Sequence, residues 1–453
     1  MGKRGIYRNH GRQTILFGTK HPCQRNRGIQ RAYRYPLARI QVQEMRFAPP
    51  SRGHQLDRRS IRCHQVLPDA WTLVENYRNI QLLNYKDMKT RNILIATLCA
   101  LMLGAGFTSC ADDPETLEPT IDPVTFPAYI LNEGLWKKSN ANISRFSHNY
   151  EGIDIDVYTQ INGKKMGDLA SAMIEEDEYI YIVLNGSGYV AKLDATTKEQ
   201  VRYSLSNPRC IDVKDDYAYV TQYGGLVRKL DINDMSLVAT FEGGDNLEGI
   251  VEKEGKLYVA NSWKSIDNYN KEILVIDTKT MKQTGTIPVV ENPVNIYNID
   301  NNIYVISQGN YYDVPAALQV IDTKAGTSKV ILNDVDKITK GNNGLIYGVR
   351  STYDEYWVSF NSFFTYNPST DVINETSFFK DAPAAFKNDA IYLLEVDEKT
   401  GFIYVGVGAY FDNNAKIMNY ELIGTIYQFD ETGKFIRSFE SGGYCPSAMI
   451  FID

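Results

Sequence analysis

Val275-Ile276-Asp277-Thr278-Lys279 returns as Val320-Ile321-Asp322-Thr323-Lys324, 45 residues further on, and Ser171-Ala172-Met173-Ile174 returns as Ser447-Ala448-Met449-Ile450 near the C-terminal end. Self-similarity at such a spacing marks a repeat architecture. A looser unit surrounds these peptides: an apolar strand, a polar turn, a strand with Tyr before Val or Ile, a loop, and a strand ending in Asp. The strand tyrosines are Tyr129, Tyr181, Tyr219, Tyr258, Tyr304, Tyr347 and Tyr404. The closing residues are Asp194, Asp231, Asp277, Asp322 and Asp430, with Asn367 in the sixth unit. Seven units result.

Each unit holds four short alternating segments, as in 249–251, 256–260, 273–277 and 283–287. Four strands per unit, repeated radially, define a β-propeller. A β-helix needs shorter coils, packed sandwiches would not repeat one unit, and the units show no amphipathic helical stretch. The first unit opens on its Tyr strand, Ala128-Tyr129-Ile130-Leu131, and lacks an inner strand. The terminal 446–452 matches the inner strand of unit two and fills that place. The expected fold is therefore all-β, a seven-bladed propeller over 127–453 closed by its C-terminal strand, which removes the open edges of an unclosed ring.

Charge divides the 453 residues. Residues 1–87 carry 17 Lys/Arg and 5 Asp/Glu, net +12, whereas 111–453 carry 29 and 50, net −21. So acidic a body repels phosphate backbones, which argues against nucleic acid as a partner. The junction is Met88-Lys89-Thr90-Arg91, the apolar run 93–107 and Thr108-Ser109-Cys110. A short positive start, an apolar stretch and small residues before a cleavage point make a secretory signal over 88–109. The run is shorter than the ~20 residues of a membrane span. Residues 1–87, Arg-rich and without periodicity, are expected to lie outside the mature protein, the start having been assigned too early. Residues 110–126, polar and Pro-containing, read as a flexible tether.

In a propeller the loop between the second and third strands of each blade opens on the face that also carries the crossovers. These loops read as 133–140, 185–188, 222–225, 261–271, 308–316, 350–359 and 408–420. Trp136, Trp263 and Trp357, all the tryptophans after Cys110, fall in them, with Tyr223, Tyr311, Tyr312, Tyr353, Tyr356 and Tyr410. Such aromatics either cap their own blades or form a recognition surface, in which rigid rings give contact area and amides give adaptable hydrogen bonds. So many on one face favour binding. Flat contact is assigned to Trp136, Trp263, Trp357 and Tyr312, and polar contact to Asn185, Gln222, Asn261, Asn310 and Asn413.

Catalysis has less support, and no catalytic residue is assigned. His148 is the one histidine after Cys110, which excludes His-based triads and multi-His zinc sites in this part. Asp267, Asp313, Asp354, Glu355 and Asp412 could serve a glycoside hydrolase or hold a structural Ca²⁺, although no D-x-D-x-D spacing is present. No metal or cofactor is assigned. Asn207-Pro208, Asn292-Pro293 and Cys445-Pro446 place proline where an inner strand begins and no ladder N–H is needed. Cys210 and Cys445 fall in units three and one, too far apart for a disulfide, and are expected to be free, buried thiols.

The lipobox-like Cys110 with Asp112 and Asp113 behind it, the opening Tyr129-Ile130-Leu131-Asn132-Glu133-Gly134, the V-I-D-T closing strands and the ending Gly442-Gly443-Tyr444-Cys445-Pro446 together resemble the YncE-like surface-layer propellers of bacteroidetes. The resemblance covers about 127–453 and specifies fold and location better than ligand. It implies a lipoprotein anchored through Cys110 in the outer membrane and facing the cell surface. One member captures vitamin B12 beside a TonB-dependent transporter. The resemblance therefore implies a corrinoid, cobalamin first, as ligand rather than cofactor, and that transporter as partner. A carbohydrate-active or lactonase-type propeller enzyme and a structural surface-layer or adhesion module remain the alternatives.

Overall fold

The computed structural model describes residues 128–147, 152–354, 358–412, 414–415 and 417–452. The lipidation, signal and tether assignments around Cys110, together with His148, Glu355, Tyr356, Trp357 and Asn413, lie outside the described residues.

Alternation of apolar and polar residues gives each repeat four antiparallel strands, with a fifth short one added in blade seven, and the seven sheets form the propeller. The inner strands are Pro446–Phe451, Ala170–Glu176, Pro208–Lys214, Leu247–Lys253, Pro293–Ile299, Val335–Lys340 and Ala390–Val396, in blades one to seven. Closure is as expected: the C-terminal strand pairs with Ala128–Asn132, setting Met449 opposite Ile130 and Phe451 opposite Ala128.

The recurring tyrosines are buried on the second strands, from 0% exposed at Tyr404 to 7% at Tyr347. They share one register. Opposite them on the inner strands stand Ile450, Ile174, Asp212, Val251, Tyr297, Thr339 and Glu395. The Tyr129 hydroxyl donates to Ala195 O, 2.6 Å away in the outer turn of blade two. Tyr219 and Tyr258 likewise meet Thr278 and Thr323, each in the next blade. The closing aspartates shape those turns: Asp194 Oδ1 accepts the N–H of Thr196 and Lys198 at 2.9 and 3.0 Å, and Asp322 Oδ1 those of Lys324 and Ala325 at 2.9 Å. A short carboxylate able to bond its own backbone two to four residues on is what such a turn selects.

Among the described residues the core divides into seven apolar clusters, one between each pair of neighbouring blades. The last joins Leu393, Tyr404 and Ile426 of blade seven to Ile130, Phe146 and Met449 of blade one. Apolar burial is thus spread around the ring.

Asn207, Asn292 and Cys445, each before its proline, adopt φ of 49°, 62° and 54°, and Leu169 and Asp334 do the same at 50° and 62°. A left-handed turn therefore opens the inner strand in five blades, and asparagine tolerates it best of the side chains present. Cys210 and Cys445 are unpaired as expected; Cys445 is buried, whereas Cys210 is half-buried.

Two expectations need correction. Helices Val157–Asn162 and Ala385–Asn388 interrupt the all-strand reading. The first is capped by Asp156 and buries Tyr158, and each is too short for a periodicity signal. The segments around 261–271, 350–359 and 408–412 are also not wholly loops. Their strands run on past the blade as Lys256–Ser265 with Asn268–Asp277, Ile346–Tyr353 with Ser359–Asn367, and Ile403–Asp412 with the short strand Ile417–Asn419. Asn261, Trp263, Tyr353 and Tyr410 are strand residues because the ladder hydrogen bonds continue across the protruding hairpins.

Candidate functional site

The blade-four hairpin turns through Ile266 and Asp267, with Asp267 at φ 57°. Its register sets Trp263 directly opposite Tyr269, so both rings lie on one side of the ribbon. The Trp263 ring meets Tyr223 of blade three edge to face at 5.8 Å, and Tyr269 meets Tyr311 of blade five at 5.9 Å. Tyr223, Trp263, Tyr269 and Tyr311 therefore make an aromatic arc across three adjacent blades. Tyr312, 77% exposed, stands beside its blade-five end. Trp136, Tyr353 and Tyr410 belong to blades one, six and seven, outside this arc. Trp136 is 45% and Tyr353 51% exposed, whereas Tyr410 is half-buried and its hydroxyl bonds Ile423 O and Thr425 Oγ1 at 2.9 and 2.7 Å.

The amides assigned to polar contact are engaged within the protein. Asn185, 7% exposed, donates to Pro208 O at 2.9 Å. Gln222, 1% exposed, donates to Ser206 O at 2.5 Å and accepts from Arg228 Nε at 2.7 Å. Asn261, 2% exposed, accepts from Asp245 N and Asn270 Nδ2 at 3.0 and 3.1 Å and donates to Glu272. Asn310 Oδ1 accepts the N–H groups of Tyr312, Asp313 and Val314, folding the loop that displays Tyr312. The four hold loops in shape.

Other residues fix the arc; sequence reasoning read Asn292 only as the residue before a strand-opening proline and did not single out the rest. Asn246 donates to Trp263 O at 2.8 Å. Asn292 donates to the Tyr311 hydroxyl at 3.3 Å while its Oδ1 accepts from Ser262 at 2.7 Å. Under Tyr223 lie Arg209 and Glu248, each the second residue of its inner strand. Tyr269 was legible in principle, since Asn261-Ser262-Trp263 and Asn268-Tyr269-Asn270 flank a short polar connection as a hairpin would. The Arg209–Glu248 pair carries no local signal.

The described face carboxylates are spread over separate blades. Asp267, Asp313, Asp354 and Asp412 belong to four different blades. Asp313 accepts from Asn310, Asp354 from Val358 N, and Asp412 from Asn414 N and Ala415 N, so these three shape their own turns. Among the described residues no group of three or more His, Cys, Asp or Glu is placed to hold a metal ion. Burial and the neighbouring Tyr311 push the Tyr269 hydroxyl up to about 12, so it is neutral near pH 7. Tyr269 thus contributes stacking area to the arc with a neutral hydroxyl.

No family model matches the chain, and no curated protein does. Among solved structures it is similar to the hydrazine synthase of Kuenenia stuttgartiensis, at 16% identity and TM-score 0.45 over 56% of this chain and 74% of that one. It is similar to the computationally designed Ika8 protein, at 11% and 0.44 over 70% and 88%, and to the WD40 domain of Neurospora crassa Pan2, at 10% and 0.42 over 59% and 78%. Likeness at this level carries no functional argument.

Proposed function

We propose that this propeller captures a broad amphipathic small molecule on the aromatic arc, that the ligand is cobalamin or another corrinoid, and that the protein, anchored in the outer membrane by a lipid on Cys110 and facing the cell surface, passes it to a TonB-dependent transporter. The observation that supports this reading is the contiguity of Tyr223, Trp263, Tyr269 and Tyr311 across three blades. A flat, amide-fringed ring can lie on such a surface. In this reading Trp263, Tyr311 and Tyr312 give the principal contact, Trp136 and Tyr353 bound the face, and Asn185, Gln222, Asn261 and Asn310 hold the loops. Covering roughly 200–300 Å² of apolar arc contributes about 5–7 kcal/mol gross. That is of the same order as the ~4–15 kcal/mol cost of association, so the arc alone supports weak binding and polar anchors must supply the rest.

Isothermal titration of the purified protein with cyanocobalamin tests this. Saturable heat at micromolar protein is expected, and Trp263→Ala should weaken affinity about thirtyfold, the cost of losing a central aromatic contact. Its melting temperature should fall only slightly, since Trp263 is partly exposed. Absence of heat removes the corrinoid; unchanged affinity in the variant removes the arc as the site.

A further inference from the structure

At the inner end of the arc a guanidinium has one unused nitrogen. Arg209 Nε and Nη2 are bound by Glu248 Oε2 at 2.8 and 2.7 Å, and the other Glu248 oxygen accepts the Tyr223 hydroxyl. The Tyr223 ring lies against the guanidinium, its centroid 4.7 Å away, and packs edge to face on Trp263. Arg209 Nη1 is buried and has no hydrogen-bond partner, in a side chain only 11% exposed. Native proteins pair nearly all such groups, and an orphaned donor on a charged side chain calls for an acceptor. This one belongs to the residue on which the first ring of the arc rests.

The surrounding charge restricts that acceptor. Glu248 neutralises Arg209, and the carboxylate of Glu133 also acts on the guanidinium. Glu133 thus adds negative charge to a pair already neutral, in a chain that carries net −21 after Cys110. A further full anion is repelled; a neutral carbonyl oxygen is not. We propose that Arg209 Nη1 is the polar anchor of the arc and that it takes the carbonyl oxygen of a neutral carboxamide, so that the ligand class is a flat amphipathic molecule with carboxamides at its rim. This rests on the arc being a ligand site and adds a specificity-determining residue to it. Tyr223 covers the guanidinium and has to shift as the oxygen arrives, which alters the environment of the Trp263 indole beside it.

The test titrates the purified protein, by heat and by tryptophan emission, with cyanocobalamin and with its monocarboxylic derivatives, in each of which one side-chain amide is a carboxylate. At least one derivative should bind tenfold or more weakly than the parent. Arg209→Met alone strands Glu248 and can misfold. The double variant Arg209→Met/Glu248→Gln removes both charges and keeps an acceptor for Tyr223; it should bind cyanocobalamin about tenfold more weakly, 1.4 kcal/mol, and lose the discrimination. Equal binding of all derivatives by the unaltered protein, parent-like affinity in a folded double variant, or a complex with water rather than ligand oxygen at Nη1 overturns the inference while leaving the arc. If none of these corrinoids binds, the proposed function fails and this anchor fails with it.

Discussion

Glu395 gives the propeller a built-in pH dependence whose sign can be worked out. It stands on the inner strand of blade seven, opposite the buried Tyr404, and lines a cavity of about 170 Å³ on the channel wall with Tyr297, Lys337 and Ser447. Burial pushes its carboxyl up to about 7 from 4.5, although a hydrogen bond from Thr339 Oγ1, 3.0 Å from Glu395 Oε2, and the Lys337 charge pull the other way. The folded state therefore holds a proton that the unfolded chain has released between pH 4.5 and 7. That contribution to stability is complete below about 4.5 and is lost as pH rises through 7. Raising the carboxyl from 4.5 to about 7 corresponds to about 3 kcal/mol, an upper value because the site can relax around the charge. Glu395→Gln keeps the shape and removes the titration. Urea unfolding of both proteins should give stabilities within ~1 kcal/mol at pH 5, with the variant ahead by up to ~3 kcal/mol at pH 8. The variant-minus-parent difference matters because other groups titrate too. Asp212, pushed up to about 6 by burial, acts in the same direction. Glu199 acts oppositely: burial is outweighed by bonds from Arg202, Tyr158 and Lys164, and its carboxyl is held down at about 2. A difference that stays constant from pH 5 to 8 would refute the reasoning.

Truncation after Gly443 deletes the inner strand of blade one and the residues after it, removing Met449 and Ile452, each 5% exposed. Each such loss costs ~2–5 kcal/mol against a typical total of ~5–15 kcal/mol, so cooperative unfolding should disappear from the calorimetric trace, and a parent-like transition would count against closure. Cys110→Ala should move the protein from the membrane fraction to the soluble one, and mass spectrometry of the parent should find no peptide upstream of Cys110; Arg-rich peptides in mature protein would contradict the processing.

The fold was legible because its determinants are local and recur. Asp277 and Asp322 shape equivalent turns with their own backbone N–H groups, and Tyr219 and Tyr258 reach equivalent threonines one blade on. A requirement met the same way several times leaves a visible period. Trp263 and Tyr311 were legible as face aromatics, but their joining through Tyr269 depends on a strand running past its blade, which a polar, Asn-rich segment does not advertise. Arg209 and Glu248 lie 39 residues apart and meet only because consecutive inner strands are neighbours in the ring.

The amides show the opposite ambiguity, since an asparagine after a strand suits a ligand and a turn equally well. In Asn185, Gln222 and Asn261 the turn takes the side chain, as a buried amide must be satisfied and a backbone carbonyl or N–H is at hand. This changes what they contribute rather than removing their contribution. Ordering a mobile side chain on binding costs ~0.5–1.5 kcal/mol each. Asn246 and Asn292 hold the Trp263 carbonyl and the Tyr311 hydroxyl before any ligand arrives. An arc whose gross apolar gain is comparable with the cost of association depends on that rigidity as much as on its rings, so the polar residues beneath it set affinity without touching what it binds.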